Sequence, residues 1–170
     1  MSQKSYAAFV YVLQSGVTAG LTAIWVAQNQ STSKAAYLRN ISLAASFNGT
    51  GAATSMVYNL SRATGTPTGG NVGGPVKENL NDPNIASVMT NIRYGESGIT
   101  GGTFGGTTCF AILACPRTAG ASTYLTLEWG SQNDPEARFM VPPGESVCIY
   151  LGLPSVAGDL VSGTVRWWEA

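Results

Sequence analysis

The stretch AYLRNISLAASFNGTGAATSMVYNLSR, residues 36–62, decides the fold. Two runs of alternating apolar and polar residues flank a cluster of Asn, Gly, Thr and Ala. In the first run, Ala36 to Ala45, the side chains of Tyr37, Ile41 and Leu43 fall on the face opposite Asn40 and Ser42. In the second, Thr54 to Arg62, Met56, Tyr58 and Leu60 share a face. A period of two belongs to a half-buried β-strand, because successive side chains point to opposite sides of a sheet. Asn48-Gly49-Thr50-Gly51 between them is expected to form a hairpin connection, since Asn and Gly tolerate positive φ at low cost.

The same pattern continues on both sides. Leu21 to Gln28 reads as a strand, and so does Ser87 to Tyr94, although Asn81-Asp82-Pro83-Asn84 could also open a short helix over Ile85 to Thr90. Thr107 to Ala114 follows, ended by Pro116, which removes a ladder donor. In Tyr124 to Trp129, the residues Tyr124, Thr126 and Glu128 face away from Leu125, Leu127 and Trp129. Arg138 to Val141, a tight Pro142-Pro143-Gly144 turn and Glu145 to Leu153 come next. In the closing run, Ser162 to Glu169, Val165 and Trp167 alternate with Arg166 and Trp168. Thr64 to Pro75 and Gly95 to Gly106 read as long Gly-rich surface loops that order when a neighbour covers them. The expectation is an all-β protein of about eight strands, a two-sheet antiparallel sandwich. A jelly roll fits better than an immunoglobulin domain, whose Cys and Trp spacing is lacking. Residues 1–20 would be an N-terminal arm or first strand, and 21–170 the β-sandwich domain.

A chain of 170 residues suits one domain, able to bury about two-thirds of its unfolded surface. Charged residues make up only 11% and the formal net charge is +0. Scarce, balanced charge favours association over dispersal. With no Lys/Arg cluster, no nucleic-acid partner is expected, because such binding works by neutralising phosphates. Lys4, the apolar run Tyr6 to Leu13 and Val17-Thr18-Ala19 loosely imitate a secretory signal. The run is short, aromatic and β-branched, and Gln14-Ser15-Gly16 breaks it, so a strand or docking arm is the better reading. No stretch reaches the length of a membrane-spanning helix, and no membrane partner is expected. Asn-x-Ser/Thr triplets begin at Asn29, Asn40, Asn48 and Asn59; they matter only for a protein secreted by a eukaryotic cell.

Histidine is absent from the sequence, which removes the commonest general base, the commonest metal ligand and the usual catalytic triads. Lys4, Lys34 and Lys77 lie in polar surroundings unsuited to Ser-Lys chemistry. Glu128, Asp134, Glu136 and Glu145 are the carboxylates a glycosidase would need, but they sit at strand ends and in loops where solvated carboxylates are ordinary. The Asp134 and Glu136 pair lacks the acidic density of a calcium loop. Cys109, Cys115 and Cys148 show no C-x-x-C spacing, so no zinc site follows, and each is expected to serve as a small buried hydrophobe. Neither Gly-rich loop has the P-loop pattern. No catalytic residue, metal or cofactor is therefore expected.

The aromatic residues remain as candidates for contact. Trp167 and Trp168 must point to opposite faces of a strand, one filling the core and the other reaching a rim. Together with Tyr6, Phe9 and Tyr11 in the first twenty residues, they are the expected interface residues.

Four segments, Tyr58-Asn59-Leu60-Ser61 into Gly65-Thr66-Pro67-Thr68-Gly69-Gly70-Asn71, Pro75-Val76-Lys77, Val141-Pro142-Pro143-Gly144-Glu145-Ser146 and Gly163-Thr164-Val165-Arg166-Trp167-Trp168-Glu169, together resemble small virion proteins of tailed bacteriophages. The likeness is to the jelly-roll decoration, or cement, proteins that coat a capsid. The resemblance implies a homo-oligomer, commonly a trimer, on the capsid surface of the virion, with the major capsid protein as partner and an N-terminal arm, here Met1 to about Gly20, in the contact. A different expectation is a carbohydrate- or receptor-binding module of a phage tail or fibre, using exposed Tyr and Trp faces. An enzyme built on Glu128, Glu136 and Glu145 is a third.

Overall fold

The computed structural model describes residues 4–16, 22–51, 53–78, 86–96, 98–103, 109–128 and 139–169. Among them are thirteen strands and no helix: β1 (Lys4–Leu13), β2 (Ala23–Asn29), β3 (Ala36–Ser46), β4 (Ser55–Thr68), β5 (Asn71–Gly73), β6 (Val76–Lys77), β7 (Met89–Tyr94), β8 (Thr100–Thr103), β9 (Cys109–Pro116), β10 (Ser122–Glu128), β11 (Phe139–Val141), β12 (Ser146–Leu151) and β13 (Leu160–Glu169). They form two antiparallel sheets. Sheet A runs β10-β3-β13-β1-β6 with β11 also on β3; sheet B runs β5-β7-β2-β12-β4-β8 with β9 also on β4.

Eight of these strands carry the architecture. The outermost in sequence, β1 and β13, pair over ten residues in sheet A. The next pair inward, β2 with β12, lies in sheet B, then β3 with β10 in sheet A, and β4 with β9 in sheet B. Nested pairs assigned alternately to two sheets are what a long hairpin gives when rolled up, and that is a jelly roll. Lys4–Leu13 is the first strand of this roll and not a free arm.

The core lies between the sheets, where the inward halves of the alternating strands meet. Val10, Trp25, Leu38, Ile41, Leu43, Tyr58, Leu60, Ile149 and Trp167 are all buried, and the rings of Tyr6 and Trp167 stack at 6.1 Å. Met56, Tyr58 and Leu60 share the inner face as their spacing requires. Tyr37 does not join Ile41 and Leu43. Arg166 pairs with Asn40 but Trp167 pairs with Leu38, so Arg39 is an extra residue in β3. This bulge exchanges the two faces, putting Leu38 in the core and Tyr37 outside.

Three more sequence expectations change. Asn48-Gly49-Thr50-Gly51 joins β3 of sheet A to β4 of sheet B, so it crosses the sandwich and closes no hairpin. Its glycines serve close approach: a Cβ on Gly49 would lie 2.3 Å from the Ala157 carbonyl oxygen. Thr64 to Pro75 is largely strand, with Thr64–Thr68 extending β4 against β8 and residues 71–73 forming β5 against β7. Between them Gly69 and Gly70 both take positive φ, which the missing Cβ permits. Thr100–Thr103, inside the second Gly-rich segment, is β8, ordered by this chain itself. Ser87 to Tyr94 contains the strand β7, while residues 79–85, including the possible helix start, lie outside the described residues.

One end of the sandwich is fastened by a buried ion pair. Arg117 Nε donates to Asp159 Oδ2 at 2.5 Å and its Nη2 to Asp159 Oδ1 at 2.9 Å. Asp159 also accepts from the Gly49 amide at 2.8 Å, and Arg117 donates to the carbonyls of Gly49 and Gly51. The hydrogen bonds to Asp159 and its charge hold the guanidinium pKa above the ordinary arginine range, outweighing burial. Deeper in, the Gln14 side chain donates to the Tyr58 hydroxyl.

Candidate functional site

The outer face of sheet A carries the larger group of uncovered apolar side chains among the described residues, while sheet B exposes Val72 and Ile112 on its edge strands. In β1 the even-numbered residues from Tyr6 to Val12 go inward, so Phe9, Tyr11 and Leu13 must go outward, and they are 63%, 57% and 64% exposed. The antiparallel registers extend their rows across the sheet. Leu13 stands beside Leu160, Ser46 and Ser122; Tyr11 beside Ser162, Ala44 and Tyr124; Phe9 beside Thr164, Ser42 and Thr126; Ala7 beside Arg166, Asn40 and Glu128. The two middle strands thus present mostly small side chains, flanked by an apolar stripe on β1 and by Tyr124, 80% exposed, on β10. Three strand spacings separate the two sides, about 14 Å. On its other side β1 pairs with β6 only at Tyr6 and Ala7 among the described residues.

The Ala7 row ends the shallow trough in a polar hollow of about 150 Å³ lined by Arg39, Asn40, Glu78, Glu128 and Arg166. Arg166 Nε donates to Glu78 Oε1 at 2.7 Å, and Arg39 approaches Glu78 at 3.7 Å. The Asn40 amide donates to Glu128 at 3.3 Å and accepts from Arg166 at 3.5 Å.

Of the five expected contact residues, Phe9 and Tyr11 stand on this face. Tyr6 and Trp167 are buried in the core. Their position follows from parity, since Tyr6 is three residues from Phe9 and must face the other way. Trp168 does emerge on the outer side of the sheet, opposite Ser5 and Tyr37. It is nevertheless only 3% exposed, with the Arg39 guanidinium 5.4 Å from its ring centre. Tyr6, Trp167 and Trp168 are therefore corrected to structural residues. Leu13 and Tyr124 were missed; the alternation that placed Phe9 outward in β1 and Leu125 inward in β10 was the available signal.

The remaining candidates disperse. Glu145 pairs with Arg62, and Glu128 lies in the hollow, while Asp134, Glu136 and Trp129 are outside the described residues. Among the described residues no three His, Cys, Asp or Glu side chains converge on a metal-sized site. Cys148 is buried as expected, Cys115 is half-buried with burial raising its thiol pKa, and Cys109 is exposed, against the expectation. Asn29 and Asn40 are buried inside the sheets, and Asn48 is exposed. Among the described residues no helix is long and apolar enough to cross a membrane.

Comparison of the chain with protein-family models, with curated proteins and with solved structures found no match.

Proposed function

We propose that this chain is a structural protein of a bacteriophage virion, a decoration protein that seats on the outer surface of the capsid as a homo-oligomer, in the trimeric arrangement its sequence resemblance implies. It acts by contact and carries out no reaction. The observation that supports this most is the stripe of Phe9, Tyr11 and Leu13, three large apolar side chains held toward solvent by a strand whose other face is locked in the core. Aromatic and aliphatic side chains in such a row are the usual centre of a protein interface, because their burial removes apolar area from water with little loss of side-chain freedom. Low charge reduces the desolvation cost of covering the surface around them. Many copies on one particle would add avidity to weak individual contacts.

Deleting Met1 to Gly20 is not a usable test, since it removes β1, which pairs with β13 over ten residues of sheet A. The test is co-sedimentation of the purified chain with empty capsids, compared with the triple variant Phe9→Ser, Tyr11→Ser, Leu13→Ser. The wild type should sediment as an oligomer and bind saturably. The variant should keep its fold and lose at least about a hundredfold in affinity, near 2.7 kcal/mol. A monomer indifferent to capsids, or a triple variant that binds as well as the wild type, would overturn the reading.

A further inference from the structure

We propose that the β10 half of sheet A's outer face is a binding site for an uncharged oligosaccharide. Tyr124 presents its ring to solvent more fully than any other large apolar or aromatic residue described. An exposed aromatic ring is a platform for the C–H face of a sugar. Four residues along the same strand lies Glu128, at the edge of the polar hollow, about 13 Å away at the rise of a strand. Between them Thr126, Ser42 and Thr164 share one row. Their short side chains leave the path open, and each carries a hydroxyl.

The hollow's chemistry selects the ligand. Its two guanidinium groups, Arg39 and Arg166, face two carboxylates, Glu78 and Glu128, so it has no net charge with which to hold a phosphate or an ammonium group. Its floor is Asn40, 7% exposed. Both Asn40 bonds, at 3.3 and 3.5 Å, are long beside the ordinary spacing of about 2.9 Å. An amide has two donor hydrogens and two lone pairs, so Asn40 retains capacity for a ligand hydroxyl. Glu128 offers carboxylate acceptors beside it, and Arg166 offers donors. Neighbouring hydroxyls on a sugar ring, each a donor and an acceptor, match that mixture. The hollow is below the roughly 300 Å³ at which drug-sized pockets begin, which suits one ring of a longer chain lying along β10. This inference does not rest on capsid docking, which uses the β1 side of the face.

The experiment is a titration of the full chain with cellotriose, maltotriose and triacetylchitotriose, and separately with glucuronic acid and glucosamine, to about 10 mM, followed by backbone amide NMR shifts. At least one neutral trisaccharide should give saturable shifts at Asn40, Tyr124, Thr126, Glu128 and Arg166, with millimolar affinity. Tyr124→Ala should weaken it at least about tenfold with the melting temperature unchanged. The Phe9, Tyr11, Leu13 triple variant should bind the sugar as the wild type does, even though it no longer binds capsids. No saturable shift with any neutral trisaccharide would overturn the proposal. So would tighter binding of either charged sugar, or a Tyr124→Ala protein that binds equally well.

Discussion

The two sheets treat the middle of their outer faces in opposite ways. On sheet B, Ala23, Val26, Ala63, Cys148 and Tyr150 form a second apolar cluster, each no more than 9% exposed, against which Ile99 packs. The segment that carries Ile99 leads into β8, held by pairing with the extension of β4, and it lies against the Gly69-Gly70 turn, where a Cβ on Gly70 would come within 2.8 Å of Ile99. The chain thus covers the middle of this face with its own Gly-rich segments, while Val72 on β5 and Ile112 on β9 stay 71% and 61% exposed at its two flanks. On sheet A no such cover lies over Phe9, Tyr11, Leu13 and Tyr124 among the described residues. Apolar surface closed by the chain contributes to folding; apolar surface left open contributes only when another molecule covers it.

That contrast can be broken experimentally, and the closed parts should respond most. Asp159→Ala leaves the Arg117 guanidinium buried without its carboxylate and should cost about 3–5 kcal/mol, read by denaturant unfolding. Replacing both partners, Arg117→Met with Asp159→Leu, should recover much of the loss, since the isolated charge causes the damage. If the single variant unfolds at the wild-type midpoint, the pair does not fasten this end.

Next is Tyr150→Ala on the sealed face, expected to cost about 3 kcal/mol through lost burial and a cavity. The matching change on the open face, Tyr11→Ala, should stay within about 0.5 kcal/mol. Equal effects would mean that the open face is covered within the monomer.

A third measurement follows stability into alkali. Burial, and after it the charges of Glu96 and Asp159, raise the Tyr58 pKa well above its ordinary 10.0. The folded state therefore holds this proton more firmly than the unfolded one. Its contribution is complete below about pH 10 and is lost as pH rises beyond that, so the melting temperature should fall more steeply above pH 10 than in Tyr58→Phe. Parallel profiles would remove Tyr58 as the cause. The smallest effect expected on stability is that of Tyr124→Ala, within about 0.5 kcal/mol, although it should abolish most sugar binding.

Much of this architecture could be read from period-two runs, because alternation is local: Met56, Tyr58 and Leu60 face inward for the same reason that Thr126 and Glu128 face out. The candidate face was half legible. Parity alone separates Phe9, Tyr11 and Leu13 from Tyr6, and Trp167 from Trp168. It could not reveal that Trp168 is covered, since that depends on Arg39, which belongs to another strand. The polar hollow was illegible for the same reason. Asn40, Glu78, Glu128 and Arg166 come from four separate segments and meet only through strand register.

The sequence by itself determined the strand content, the inward and outward sides of most strands, and the absence of histidine chemistry, all of them properties of composition or of neighbours within a few residues. The tertiary structure decided the rest. It sent residues 48–51 across the sandwich instead of around a hairpin, turned Gly-rich segments into strands, and moved Tyr37 to the outer face through one extra residue in β3. It also covered the middle of one outer face and left that of the other open. Those outcomes depend on which strands become neighbours, and pairing between residues far apart in the chain is set by how two sheets share a core, which no local pattern records.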